Sequence, residues 1–236
     1  MAEFVVEFGR NGQPVEADGR LDAAAFHRNH EAIWAVLQPF LAGRTGDVVE
    51  AGSGTGQHVV HFARHTPDIV WWPSDLNERH LRSIEAWRAH SGLSNIRPPL
   101  RIDLSDAAWC DAMHDHSGEN NLGLENLLAV FCANVVHIAP WRVAEGLFAG
   151  AGRYLRADGR LFLYGPFKRG GKHTAVSNAV FDTSLRERDP EWGVRDVEAL
   201  ERLAADAGLA LVATAEMPAN NLILAFERAK KGDSGA

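Results

Sequence analysis

The run Val48-Val49-Glu50-Ala51-Gly52-Ser53-Gly54-Thr55-Gly56-Gln57-His58 concentrates residues capable of chemistry. Apolar residues lead into three alternating glycines, and a helical pattern follows. Glycines so spaced let the backbone turn tightly and approach a ligand with no Cβ in the way, while the helix start beyond them offers free N–H groups. Glu50 closes the apolar run as the first acid. Asp75 closes the next one, Trp71-Trp72-Pro73-Ser74-Asp75, where a carboxylate can accept both hydroxyls of a ribose. These residues suit a nucleoside-containing cofactor. Gln57 stands where a G-x-G-x-x-G dinucleotide loop needs its third glycine, which disfavours a pyrophosphate.

The compact G-x-G-x-G loop, with an acid two residues before its first glycine, resembles the first motif of class I S-adenosylmethionine-dependent methyltransferases. By that resemblance Asp103, in the run Leu100-Arg101-Ile102-Asp103-Leu104, accepts the adenine amino group. A narrower likeness rests on Gly54 to His58, on Phe131-Cys132-Ala133-Asn134-Val135-Val136-His137-Ile138, on Leu163 to Phe167, on Arg188-Asp189-Pro190-Glu191-Trp192-Gly193 and on Met217-Pro218-Ala219-Asn220-Asn221. Together these strings resemble the family that includes methyltransferase-like protein 26, over roughly residues 24–228. The resemblance implies S-adenosyl-L-methionine as cofactor, held by Glu50, Gly52, Ser53, Gly54, Gly56, His58, Asp75, Asp103, Leu104 and Asn134. It also includes the pair Arg28-Asn29, and Arg28 suits the methionine carboxylate as a forked donor. It names no acceptor.

The elements that must position these groups are legible as alternating patterns. Apolar residues at helical spacing predict a helix over Leu21–Leu41, with Gly43 beyond its end. Strands are expected at Asp47–Ala51, Ile69–Pro73, Leu100–Leu104, Leu127–Ala133 and Arg160–Tyr164. Helices are expected at Asn77–Ser91, Pro140–Leu155 and Asp196–Ala207. A hairpin of Leu209–Glu216 and Leu222–Glu227 ends the fold. The pattern is an α/β, Rossmann-like class I methyltransferase fold: a seven-stranded, mostly parallel sheet with an antiparallel C-terminal strand and helices on both faces. Residues 1–20 read as an irregular segment, 21–229 as the methyltransferase domain and 230–236 as a disordered tail.

In such a sheet ligands gather at the carboxyl ends of the strands. Asn134 and His137 follow the fourth strand, Tyr164 to Phe167 follow the fifth, and Asn220-Asn221 turn the final hairpin onto the same rim. Catalytic candidates are therefore His137, the first choice for a general base because its ordinary pKa is near neutral, Tyr164 and Asn134. Candidates for binding substrate are Asn220, Asn221 and Phe167.

A net charge of −7 argues against nucleic-acid partners, and no apolar run approaches the length of a membrane span. The reading is a cytoplasmic protein acting on a small-molecule acceptor. His58, His61 and His65 share one face of the loop's helix, but the stretch lacks the Glu of H-E-x-x-H and no metal is expected. Two alternatives stay open: a cofactor-binding scaffold of the same fold without catalysis, and a nicotinamide-dependent oxidoreductase.

Overall fold

The computed structural model of the protein describes residues 18–111 and 126–229. The tail at 230–236, and the irregular segment at 1–20 except its last three residues, lie outside the described residues. In chain order the elements are α1 (Ala24–Leu41), β1 (Gly46–Ala51), α2 (Gln57–His65), β2 (Ile69–Asp75), α3 (Glu78–Ser91), β3 (Leu100–Arg101), β4 (Leu127–Ala133) and α4 (Trp141–Tyr154). There follow β5 (Leu155–Gly165), β6 (Phe167–Arg169), β7 (Lys172–His173), α5 (Val176–Arg188), β8 (Arg195–Asp196), α6 (Val197–Asp206), β9 (Leu209–Met217) and β10 (Asn221–Arg228).

Seven strands form one sheet in the order β3-β2-β1-β4-β5-β10-β9. The first five run parallel, whereas β10 is antiparallel to both β5 and β9. This is the expected methyltransferase sheet. Its central strands are apolar on both sides because each side is covered. Phe131 of β4 packs with Phe62, Trp71 and Leu37 on the face that carries α1 and α2. Its neighbours Val130 and Cys132 pack with Leu147, Phe148 and Leu200 on the face of α4 and α6. Among the described residues, no helix is long and apolar enough to cross a membrane.

Local signals set most boundaries. Asn77 caps α3 by accepting from the Arg79 amide at 2.8 Å, and left-handed Gly92 ends it. The third strand is a correction: it stops at Arg101 rather than Leu104. Asp103 Oδ1 accepts from both the amide and the hydroxyl of Ser105, at 2.9 and 2.7 Å, and this turn takes the chain out of the ladder.

Between β5 and α6 lies a small second sheet, ordered β7-β6-β8, with α5 beside it. No periodicity announces strands of two or three residues. Asp182 of α5, buried, holds this subassembly together. It accepts from Lys168 Nζ at 2.8 Å and the Val194 amide at 2.7 Å, and it lies 3.2 Å from His173 Nε2 and 3.3 Å from Arg186 Nε. Removing the carboxylate strands a half-buried ammonium and a buried amide. Asp182→Ala is expected to lose about 2–4 kcal/mol in urea denaturation, with Asp182→Asn losing less. Unchanged midpoints would show that the small sheet stands without it.

Candidate active site

The chain enters the sheet at β1, winds outward through β2 and β3, and then crosses back to β4 on the other side of β1. The carboxyl ends of β1 and β4 therefore flank a topological switch point, where an open parallel sheet leaves a crevice. The glycine loop leaves β1 there and the Asn134–His137 turn leaves β4. The two approach so closely that a Cβ on Gly52, which has φ +72°, would sit 2.4 Å from Val135 Cγ2. Gly54, at φ +58°, has open space where its Cβ would be, so bare backbone faces the crevice.

Glu50 ends β1 beneath this loop and is 2 % exposed. Burial raises its carboxyl pKa to about 8; the nearby Asp75 adds to the rise, and Ser53 and the Val59 amide oppose it. Its Oε2 has no hydrogen-bond partner among the described residues. Ser53 is built into the scaffold: its hydroxyl donates to the Glu50 carbonyl at 3.1 Å and accepts from the Ser74 amide at 3.1 Å, tying the ends of β1 and β2 together. Asp75 accepts from the Gly54 amide and the Asn77 amide, each at 2.9 Å, and His80 Nδ1 lies 3.1 Å from it. Each carboxylate oxygen can accept more than one bond, so these contacts orient Asp75 without exhausting it. Asp103 is exposed and shapes its turn through Oδ1, while Leu104 is buried in the core against α4.

The structure brings the three expected rim segments together. The Asn134 amide donates to the Tyr164 carbonyl at 2.8 Å, and Asn221 Nδ2 donates to the Tyr164 hydroxyl at 3.0 Å. Asn134 adopts a left-handed φ of 63°, which its short amide side chain tolerates, and turns the chain at the end of β4. The side-chain amide of Asn29 and the charge of exposed Arg28 both act on the Tyr164 hydroxyl, so α1 reaches the same rim. Asn29 Oδ1 in turn accepts from His58 Nε2 at 2.8 Å. His58 thus faces α1 through this nitrogen. Asn29 joins these groups, and no local pattern in the sequence marks its role beyond the Arg28-Asn29 pair of the family resemblance. His80, 1 % exposed beside Asp75, was also unmarked in the sequence.

Two expectations are corrected. His137 is fully buried, and desolvation together with the charge of Arg195 lowers its pKa to about 3. Its Nδ1 accepts from the Arg195 amide at 3.3 Å, which leaves the proton on Nε2. A ring so held is too weak a base to take a proton from an acceptor, and it packs edge-on against Phe167 with centroids 4.8 Å apart. Phe167 is itself fully buried in the core and offers no surface to a substrate. Asn220 is exposed at the hairpin, bonded to Ser177 at 3.2 Å, and its carbonyl accepts from Asn178 at 2.9 Å. The histidines of α2 do not converge on one another: His58 bonds Asn29, and His65 Nδ1 turns back to the His61 carbonyl at 2.8 Å. A different trio, His30, Glu31 and His61, does meet.

A cavity of about 200 Å³ lined by Trp34, Arg44, His65 and Asp68 lies at the opposite, amino-terminal edge of the sheet, remote from these groups.

Residues 20–228 match the model of the family described as Protein of unknown function (DUF938). The chain belongs to this family. Solved structures similar to it include an O-methyltransferase family protein from Burkholderia thailandensis, at 16% identity and TM-score 0.65, covering 86% of this chain and 59% of that one. An O-methyltransferase family 2 protein from Planctomyces limnophilus in complex with apigenin is 16% identical, with TM-score 0.66 and coverage of 85% and 56%. CalO1, a methyltransferase in calicheamicin biosynthesis in its SAH-bound form, is 16% identical, with TM-score 0.61 and coverage of 84% and 54%. The chain spans less than three-fifths of the length of each. At such identities the likeness is one of fold, and the fold is that of class I S-adenosylmethionine-dependent methyltransferases. None of these matches bears on the narrower resemblance to the methyltransferase-like protein 26 family.

The state of Glu50 has a measurable signature. Its pKa of about 8 in the folded chain lies above the ordinary 4.5, so between those values the folded state holds a proton that the unfolded state has released. This contribution is complete below about pH 4.5 and is lost as pH rises through 8. Relative to Glu50→Gln, the ligand-free wild type should therefore lose stability from pH 5 to pH 8 by up to about 1 kcal/mol per pH unit. Denaturation series of both proteins check this, and parallel curves would mean that Glu50 is already ionised.

Proposed function

We propose that the protein is an S-adenosyl-L-methionine-dependent methyltransferase acting on a small-molecule acceptor. The observation that carries this reading is the crevice at the β1/β4 switch point. There the Glu50 carboxyl keeps one oxygen without a partner below a glycine loop whose backbone is open to a ligand. A buried carboxyl in that position suits a cationic partner, and the ammonium of the cofactor's methionine end is one. Asp75 suits the ribose, Asp103 the adenine edge through its other oxygen, Asn134 the crevice wall, and exposed Arg28 the methionine carboxylate. The small-molecule acceptor follows the apigenin-bound structural neighbour and the acidic charge.

When bound, the cofactor supplies a methyl group on a sulfonium, which leaves readily. The chain's task is then to hold an acceptor atom in line and near, with water kept out. Tyr164 is the group for this. Its hydroxyl accepts from Asn221, which leaves its own O–H free to donate. Burial raises its pKa despite Asn29, Asn221 and Arg28, so it stays protonated and orients the acceptor rather than taking its proton. Asn220 and Asn221 border the same space. The nicotinamide alternative loses ground because Gln57 is consumed internally: it accepts from the Ala23 amide at 2.7 Å and donates to Asp22 at 2.6 Å.

Calorimetric titration with S-adenosyl-L-methionine, S-adenosylhomocysteine and NAD tests the reading. Binding of the first two and not the third is expected, and the reverse would overturn it. Asp75→Ala should weaken binding by about 1.5–3 kcal/mol, roughly 10- to 150-fold, with the fold retained. In a screen of hydroxylated aromatic acceptors that follows release of S-adenosylhomocysteine, Tyr164→Phe should lower turnover while cofactor affinity stays unchanged. Cofactor binding with no turnover on any acceptor would favour a scaffold.

A further inference from the structure

The second feature with chemical potential lies behind the cofactor loop, where α1 packs on α2. We infer that His30, Glu31 and His61 form a binding site for a divalent transition-metal ion of the zinc type, clamping α1 to α2. One donor atom from each of the three lies within 4.8 Å of the others. His30 Nε2 and Glu31 Oε1 are 3.3 Å apart, which is about the edge of a tetrahedron with metal–ligand bonds near 2.0–2.1 Å. Glu31 is mostly exposed, so its side chain is free to adjust to an ion.

The state of each nitrogen follows from its surroundings. His30 Nδ1 lies 2.8 Å from the Phe26 carbonyl, which can only accept, so Nδ1 carries the proton and Nε2 presents a lone pair. A ring nitrogen bonded to a backbone carbonyl while the other faces outward is the arrangement that orients metal-ligating histidines. Phe26 also stacks on the ring at 4.3 Å and 18°, which fixes its plane. His61 Nε2 is shut off from water and has no hydrogen-bond partner among the described residues. The His61 ring stands edge-on to that of His30 with centroids 4.8 Å apart, so two imidazoles and a carboxylate border one point. A proton shared by His30 and Glu31 would satisfy that pair but leave His61 Nε2 without a partner. A metal ion satisfies all three.

Two imidazoles and one carboxylate select zinc, cobalt, nickel or copper over magnesium or calcium, which take oxygen ligands. Water is left to complete the coordination. The consequence is local and specific: the residues next to these ligands are Asn29 and, one turn before His61, His58, which bond to each other at 2.8 Å. The site stands whether or not the chain transfers methyl groups.

The test uses the full chain stripped with a chelator and titrated with Zn²⁺ by calorimetry, and with Co²⁺ by its visible ligand-field bands. Saturation at one ion per chain, a raised melting temperature with Zn²⁺ and none with Mg²⁺ are expected. His30→Asn, Glu31→Gln and His61→Asn should each weaken binding by at least about 10-fold. His27→Asn, at an exposed histidine paired with Asp22, should not. Absence of saturable Zn²⁺ binding by the wild type, or binding that survives intact in His30→Asn and His61→Asn, would overturn the proposal. Circular dichroism shows that each variant is folded before it is scored.

Discussion

The fold turns on the burial of one acid near the end of its first strand. Taking the Glu50 carboxyl out of water costs several kcal/mol unless it is neutralised or partnered. The loop that follows is arranged around that cost: Ser53 and the Val59 amide act against the rise in the carboxyl's pKa. Ser53 and Ser74 then join the ends of β1 and β2 around the Glu50 carbonyl, which Ser74 Oγ reaches at 2.9 Å. The position of Asp75 follows, because the Gly54 amide it accepts belongs to the same loop. A single corner thereby sets the geometry of two carboxyl groups from adjacent strands.

On the other side of the switch point the polar groups divide into two kinds. His137 and Phe167 fill space beneath the rim, and their burial on both sides makes them part of the frame that carries the small sheet. Arg195 extends that frame, with Nε donating to the Val136 carbonyl at 2.8 Å and Nη2 to Ala139 at 2.7 Å. Tyr164, Asn29, Asn221 and His58 instead form a polar network, with His58 bonded to Asn29 and Asn221 to Tyr164, that crosses from α2 through α1 to the final hairpin. Such a network is rigid when every member is satisfied. It ties the first helix to the last strand at the rim where a ligand would enter.

The electrostatics of the buried groups His137 and Glu50 run in opposite directions. His137 is kept neutral, so its contribution to stability is present above its ordinary pKa and lost as pH falls toward 3. Glu50 is kept protonated in the ligand-free chain, so its contribution is lost as pH rises toward 8. Burial produces both shifts, because each group sits where its charged form is poorly solvated.

The sequence by itself determined the layer architecture, the glycine loop, the acids at the ends of β1 and β2, the cap at Asn77 and the final hairpin. All of these are written in local periods and turn residues that act within one element or between neighbours. Tertiary structure alone decided the rest. The third strand ends early because Asp103 bonds Ser105 instead of continuing the ladder, a competition that a run of apolar residues does not reveal. His137 resembles a rim base by position, yet Gly165, Phe167 and Arg195 close over it from later segments. Asn29 and Tyr164 meet only because α1 folds across the ends of strands formed much later in the chain. His30, Glu31 and His61 meet only where two helices pack. Burial and pairing between remote segments set pKa values, free lone pairs and open space, and these are properties of the packed chain rather than of any stretch of it.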